Sequence, residues 1–334
     1  MKLPVMHVKT KGKSKGTLLL HGGNDSYFEE FLFSLLYLQE KGFEVYLFEG
    51  PGQGGVIRTQ GMHFTHEWEK PVKVILDFFN LSDVTIIGVS LGGYLAPRAA
   101  FDERITKVVA WSVFPSFLDV IIGGQPPALR RIFYFLLKIH ARELINFINA
   151  KAKKEPMIDW GLKHGMYTYE ADSAYRYARK MSDYSLEPIA DKVTQDILIL
   201  GASRDHFIDY HMIGKEIDMF VNVKSLTFRL FTEKESAQNH CNVGNGKLAL
   251  DTICGWVGGD GKMMKFIYRL TMARSKKMIV QTYGKDFYIQ FRNRLDSLFK
   301  SVLKETPDIG ESIFSFNYAY APSYVAWYKT LWKL

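Results

Sequence analysis

The stretch Gly88-Val89-Ser90-Leu91-Gly92-Gly93 constrains this chain more than any other. Ahead of it runs Asp83-Val84-Thr85-Ile86-Ile87, a short apolar run that reads as a buried strand. Behind it Tyr94-Leu95-Ala96-Pro97-Arg98-Ala99-Ala100 reads as a helix. A strand, then G-x-S-x-G, then a helix is the pattern of a nucleophile elbow. The serine of such a turn is held in a strained backbone conformation, and side chains at the flanking glycines would collide with the adjoining strand and helix. Ser90 is therefore a candidate nucleophile.

A serine hydroxyl is a poor nucleophile at neutral pH. It needs an imidazole to take its proton and a carboxylate to fix the imidazole tautomer. Asp196-Ile197-Leu198-Ile199-Leu200-Gly201 reads as another buried strand, and Ala202-Ser203-Arg204-Asp205 puts Asp205 in the loop at its end. Asp209 and His206 stand nearby but further from the strand. His240 follows the strand-like run Ser225-Leu226-Thr227-Phe228-Arg229-Leu230-Phe231. The order Ser90, Asp205, His240 differs from the orders of the two best-known serine protease folds. A third element accompanies them. Thr17-Leu18-Leu19-Leu20 reads as a strand leading into His21-Gly22-Gly23-Asn24, whose glycines let the backbone turn its N–H groups toward the serine. The N–H of Leu91 with that of Gly23 (or Asn24) then forms a candidate oxyanion hole.

With these motifs in view, residues 1–258 resemble the α/β-hydrolase family, whose chain order is Ser, Asp, His. Phe48-Glu49-Gly50-Pro51-Gly52-Gln53-Gly54 resembles the loop after the next strand in that family, with Glu where Asp is commoner. Together with His21-Gly22-Gly23-Asn24-Asp25-Ser26 and His240-Cys241, it is similar to a bacterial branch containing carbon–carbon bond hydrolases of the pseudooxynicotine type. The resemblance implies a mostly parallel sheet flanked by helices and a cofactor-free serine hydrolase.

The rest of the chain fits an α/β alternation. Strands are expected over 4–8, 17–20, 44–48, 84–88, 105–111, 196–201 and 224–231, and helices over 27–41, 66–79, 92–101, 210–219 and 247–257. Only one strand fits before Thr17, so an antiparallel N-terminal hairpin would be incomplete. Between Trp111 and Gln195 the alternation stops. Segments 130–138, 144–150 and 171–181 read as helices of an insertion, about 114–192, placed where many α/β-hydrolases carry a helical cap. Its aromatics Phe133, Tyr134, Phe135, Trp160, Tyr167, Tyr169, Tyr175 and Tyr177 either line an apolar pocket or pack the cap onto the core. Arg176 and Arg179 either hold an anionic substrate or lie on a solvated face.

Charge divides the chain. Residues 261–334 hold 13 Lys/Arg against 5 Asp/Glu, while residues 1–260 hold 30 of each, so the net charge of +8 belongs to the C-terminal segment. That segment begins after the breaker Gly258-Gly259-Asp260-Gly261, where a domain boundary is expected. Segments 266–274 and 287–303 read as basic helices, and 314–328 is aromatic-rich. A helical extension packed on the core is the favoured reading; a basic surface for lipid or nucleic acid and a partial second domain are the others. Residues 315–324 are similar to segments of amino-thiazoline carboxylate hydrolase-like domains, with no residue role implied.

Other classes find little support. No run approaches the roughly 20 uninterrupted apolar residues of a membrane span. No N-terminal stretch joins a basic start to an apolar core, and Cys241 and Cys254 do not form a disulfide framework, so a cytoplasmic location is expected. Cys241, beside His240, reads as a small buried apolar residue. His63 and His66 are too few for a metal site, no cofactor motif occurs, and no nucleic-acid motif stands out. The expectation is hydrolysis of an ester, thioester, amide or activated carbon–carbon bond of a small molecule. Acyl transfer on the same residues, a non-catalytic binding scaffold and homo-oligomerisation stay open.

Overall fold

In the computed structural model, residues 1–112, 114–152, 156–209, 212–258 and 316–317 are described. Seven strands dominate: β1 (Val5–Val8), β2 (Thr17–His21), β3 (Glu44–Phe48), β4 (Val84–Val89), β5 (Ile105–Trp111), β6 (Asp196–Ala202) and β7 (Ser225–Phe231). They form one sheet in the order β1-β3-β2-β4-β5-β6-β7, and a two-residue strand, β8 (Phe316–Asn317), extends it antiparallel beyond β7. The ladder is parallel from β3 to β7, with β1 antiparallel to β3. The antiparallel N-terminal part is thus a single strand, as the short run before Thr17 suggested.

The central strands are nearly continuous apolar runs because both faces of the sheet are covered. Alternate side chains go to opposite faces. Leu19, Ile86, Val108, Ile197 and Ile199 enter one core, while Leu18, Leu20, Ile87, Val109, Leu198 and Leu200 enter the other. The helices that seal the second core are α1 (Leu32–Glu40), which gives Leu35 and Leu38, and a C-terminal helix, Gly246–Gly258, which gives Ala249, Leu250, Ile253 and Trp256. Each of the buried leucines and Ile253 contributes on the order of 1.5–3 kcal/mol.

The first core is covered by α3 (Glu69–Phe78) and α4 (Gly92–Ala99). Before α3 lies α2 (Gly54–Gln60), which the sequence reading passed over because it opens on two glycines. Between β5 and β6 lie five described helices: α5 (Phe117–Ile122), α6 (Pro127–Lys138), α7 (Arg142–Ala152), α8 (Pro156–Thr168) and α9 (Ala174–Met181). Three of them match the expected helices, whereas α5 and α8 were not anticipated. In α8 the glycines Gly161 and Gly165 mask the helical period; Gly165 is needed because a Cβ there would lie 2.3 Å from the Tyr177 ring. The last two described helices are α10 (Met212–Met219) and α11, the Gly246–Gly258 helix named above.

The eight aromatics of this region divide. Tyr169 and Tyr177 are buried in the core, Phe133 and Tyr175 are half-buried, and Tyr134, Phe135, Trp160 and Tyr167 are exposed. Arg176 pairs with Asp172 at 3.3 Å on a solvated face, and Arg179 is exposed. The expected helices over 266–274 and 287–303, and the aromatic stretch 314–328 apart from Phe316 and Asn317, lie outside the described residues. Among the described residues no helix is long and apolar enough to cross a membrane.

Candidate active site

At the end of β4 the chain reverses through Ser90, whose φ is +61°, a left-handed conformation costly for any residue with a side chain. The glycines permit it. A Cβ at Gly88 would lie 1.9 Å from the carbonyl oxygen of Gly92, and one at Gly92 would lie 2.8 Å from that of Gly22. The turn is tied on both sides: the Ser90 N–H donates to Trp111 O at 2.9 Å, and the Gly93 N–H donates back to Ser90 O at 2.8 Å. Ser90 is thereby held at the carboxyl edge of the sheet, where open α/β sheets present their ligands.

Two loops deliver its partners. After β6 the Ser203 N–H donates to Phe231 O (2.9 Å) and the Arg204 N–H to Gln238 O (2.8 Å), which fixes the approach to Asp205. The Asp205 Oδ1 accepts from the N–H groups of Phe207 (2.9 Å) and Ile208 (3.0 Å). Its Oδ2 faces His240, whose Nδ1–H donates to it at 2.7 Å. The other ring nitrogen, Nε2, lies 2.8 Å from Ser90 Oγ. Ser90, His240 and Asp205, separated by 150 and 35 positions in sequence, therefore form one continuous chain of hydrogen bonds. Burial disfavours charge on His240, but the Asp205 carboxylate, aided by Cys241, outweighs it and holds the imidazole pKa above its ordinary value. Phe207 sets its ring edge-on to the imidazole, with centroids 5.0 Å apart.

The end of β5 anchors this constellation, and the sequence reading did not single it out. Trp111 carries the carbonyl that accepts from Ser90 and an indole N–H that donates to Asn242 Oδ1 at 2.8 Å. Ser112 Oγ accepts from the Cys241 N–H at 3.3 Å. Cys241 and Asn242 have φ of +51° and +57°, so the loop carrying His240 is bent tightly against β5. The only hint in the sequence was a polar Asn near the histidine, a weak signal without coordinates. Cys241 is half-buried rather than buried as expected, packing beside the second core while its side chain also meets His240.

The loop after β2 lies directly against the elbow. A Cβ at Gly23 would be 2.8 Å from both Ser90 Cβ and the Leu91 N, and 2.7 Å from Val89 O. The Gly23 N–H donates to Ser26 Oγ at 2.8 Å. The Gly23 carbonyl accepts from Gln53 Nε2 at 2.9 Å, while Gln53 Oε1 accepts from the Gly50 N–H at 2.9 Å. The Glu49 carboxylate accepts from the N–H groups of Phe28 (3.1 Å) and Gly55 (2.7 Å), which explains the acidic residue in that loop as a brace at the start of α2. His21 is fully buried beneath the elbow, beside Phe48 and Trp68, and its Nδ1–H donates to Gly22 O at 3.0 Å. Burial lowers its pKa to about 4, so it is a neutral structural ring. Among the described residues no group of three His, Cys, Asp or Glu side chains is placed to hold a metal ion.

Chemically, a hydroxyl hydrogen-bonded to an imidazole whose other nitrogen donates to a buried carboxylate can attack a carbonyl carbon and pass its proton to the ring. The chain is similar to known proteins in sequence and in fold. A model of the alpha/beta hydrolase family matches residues 17–233. The hydrolase acrC of Aspergillus aculeatus is 29% identical over 202 residues, covering 56% of this chain and 46% of the relative. The hydrolyase poxO of Penicillium oxalicum is 28% identical over 221 residues, covering 60% and 52%. The chain thus spans about half the length of the curated relatives it matches. Among solved structures, a 2,6-dihydroxy-pseudo-oxynicotine hydrolase superimposes with a TM-score of 0.56 at 16% identity, covering 77% of this chain and 64% of that one. An esterase from Exiguobacterium antarcticum gives 0.51 at 15% identity, covering 76% and 95%. These two likenesses are of fold.

Proposed function

Because the chain belongs to the alpha/beta hydrolase family, we propose that it is a hydrolase that works through Ser90 as nucleophile, His240 as general base and acid, and Asp205 as the group that orients His240. The observation that carries this reading is the pair of hydrogen bonds of 2.8 and 2.7 Å that meet on one imidazole, with the serine on a strained turn. The oxyanion hole in this reading is the Leu91 N–H with an N–H of the loop Gly23–Asn24. Since the Gly23 N–H donates to Ser26 Oγ, the Asn24 N–H stands as the second donor.

The reaction follows from these positions. Ser90 Oγ attacks the carbonyl carbon of the substrate as His240 Nε2 takes its proton. The Asp205 carboxylate holds Nδ1–H, so the incoming proton has one place to go, and it stabilises the imidazolium that forms. Negative charge developing on the carbonyl oxygen is met by the backbone N–H groups. His240 then protonates the departing alcohol, thiol, amine or carbon, leaving an acyl group on Ser90. Water then attacks the acyl carbon as it gives a proton to His240 Nε2, and the ring returns that proton to Ser90 Oγ as the bond from Oγ to the acyl carbon breaks and the acid leaves. The substrate is proposed to be a small molecule carrying an ester, thioester, amide or activated carbon–carbon bond, with the helices between β5 and β6 as a cap over it. A cytoplasmic setting belongs to the same proposal.

Steady-state hydrolysis of p-nitrophenyl acetate and butyrate and of an acyl thioester tests it. Wild-type protein is expected to turn over at least one of them, and His240→Ala to lose that turnover by several orders of magnitude. Equal activity in the two proteins would overturn the reading.

A further inference from the structure

The end of α8 touches the loop that approaches the elbow. His164 Nε2–H donates to the Asn24 carbonyl at 3.2 Å, and the Tyr169 hydroxyl donates to Asn24 Oδ1 at 2.9 Å. These bonds join residues 140 and 145 positions apart, so they exist only when α8 sits against the core. The same end of α8 is moored to a core loop: the Phe64 N–H donates to Thr168 O at 2.9 Å, and His63 Nδ1–H donates to Tyr167 O at 3.0 Å. Tyr169 is buried and its ring stacks on Phe64 with centroids 4.8 Å apart, which fixes the direction of its hydroxyl. Burial raises its pKa well above the usual tyrosine value, keeping it a neutral donor.

From the core side the adjoining peptide is held as well. The Gly23 carbonyl and the Asn24 N–H belong to one planar peptide unit and point in opposite directions. Gln53 Nε2 grips that carbonyl and so sets the direction of the Asn24 N–H. His164 and Tyr169 hold the carbonyl and side chain of Asn24 itself and so set where the N–H stands. The Asn24 carbonyl and Oδ1 are thus both engaged in holding the residue still.

We propose that His164 and Tyr169 are positioning residues for the Asn24 N–H, so that stabilisation of the oxyanion is complete only when α8 is seated. The proposal rests on the reading of Ser90 as nucleophile. It makes the insertion part of the machinery of rate, in addition to whatever it contributes to substrate choice. A substrate too short to reach α8 should therefore still feel the loss of these bonds, through kcat and with little change in KM, because the interaction they support strengthens in the transition state.

The test uses full-length protein and p-nitrophenyl acetate. Tyr169→Phe is expected to lower kcat about tenfold, less than outright removal of an oxyanion donor costs, with KM within about twofold. Asn24→Ala breaks the same bond from the other side and should act alike. The double variant should be no slower than the slower single variant, since both remove one interaction. His164→Gln keeps an N–H donor and should retain most activity, whereas His164→Ala should not. An unchanged kcat in Tyr169→Phe, a change confined to KM, or multiplicative losses in the double variant would overturn the proposal. If Tyr169→Phe does not fold, Asn24→Ala, in a half-buried loop, with His164→Ala and His164→Gln, carries the same readout. Ser90→Ala is the control that separates the two levels: full activity there overturns the nucleophile and this proposal with it, while loss of activity there with an unchanged kcat in Tyr169→Phe overturns this proposal alone.

Discussion

Replacing Asp205 by Asn probes the chain of hydrogen bonds with almost no change of shape. In the native arrangement Oδ1 accepts from two backbone N–H groups and Oδ2 accepts from His240 Nδ1–H. An amide has one acceptor end and one donor end. If its oxygen stays on Phe207 and Ile208, its NH2 faces Nδ1 and forces that nitrogen to be the acceptor. The ring proton then moves to Nε2, 2.8 Å from Ser90 Oγ, where the proton of the serine must go. If the amide flips, its NH2 meets two N–H donors, and three donors are left without acceptors. The first outcome disables the base; the second keeps the native tautomer only by leaving three donors unpaired, so the first is favoured. The expected loss is on the order of 10⁴-fold in kcat, the size known for the equivalent change in a serine protease triad, or about 5 kcal/mol of barrier. Asp209, exposed further along the same loop, should tolerate the same change within a few-fold. Activity on p-nitrophenyl acetate decides, with the Tm of each variant as a folding control. An Asp205→Asn protein within tenfold of wild type, or a severe loss in Asp209→Asn instead, would refute the reasoning.

Further outcomes follow from individual sites. The base must be neutral to act, and Asp205 raises the pKa of His240, so kcat/KM should rise with pH along a limb lying above the usual histidine value; a limb below it would contradict the electrostatics. Gly23→Ala puts a Cβ within 2.8 Å of three atoms of the elbow and should cost more than about 100-fold in kcat, comparable to loss of an oxyanion donor; retained activity would show that the loop is free to move. Glu216, on α10, is buried with its carboxyl oxygens unpartnered among the described residues, and burial raises its pKa to about 8. With the folded value above the unfolded one, its contribution to stability is full below about pH 4.5 and is lost as pH rises toward and through about 8. Thermal unfolding at pH 5 and 8.5 should show wild type losing several degrees more than Glu216→Gln over that interval, and an equal loss in both proteins would count against it.

Much of the site can be read from the sequence because its parts sit at the ends of apolar runs. Ser90 was legible from the glycines that its turn requires, and Asp205 from its place after β6. The sheet was legible because β2, β4, β5 and β6 each carry a buried apolar run, over 18–20, 86–87, 108–111 and 197–200. What escaped depends on long-range hydrogen bonds. Trp111, Ser112 and Asn242 brace the loop of His240, yet nothing local marks a Trp at a strand end as a double partner. The direction of the Gly23 N–H, turned to Ser26, is set by a side chain three residues on and a bend that no pattern encodes. The helix α8 was hidden by Gly161 and Gly165, the second of which exists to let Tyr177 approach.

The central claim is that Ser90 is an activated nucleophile, and covalent labelling tests it most directly. The full-length protein treated with a fluorophosphonate should gain one adduct by intact mass, and peptide mapping should place it on Ser90. Ser90→Ala should take up none while unfolding within a few degrees of wild type, and His240→Ala should label far more slowly. An unlabelled wild type, or an adduct on another residue that persists in Ser90→Ala, would contradict the account.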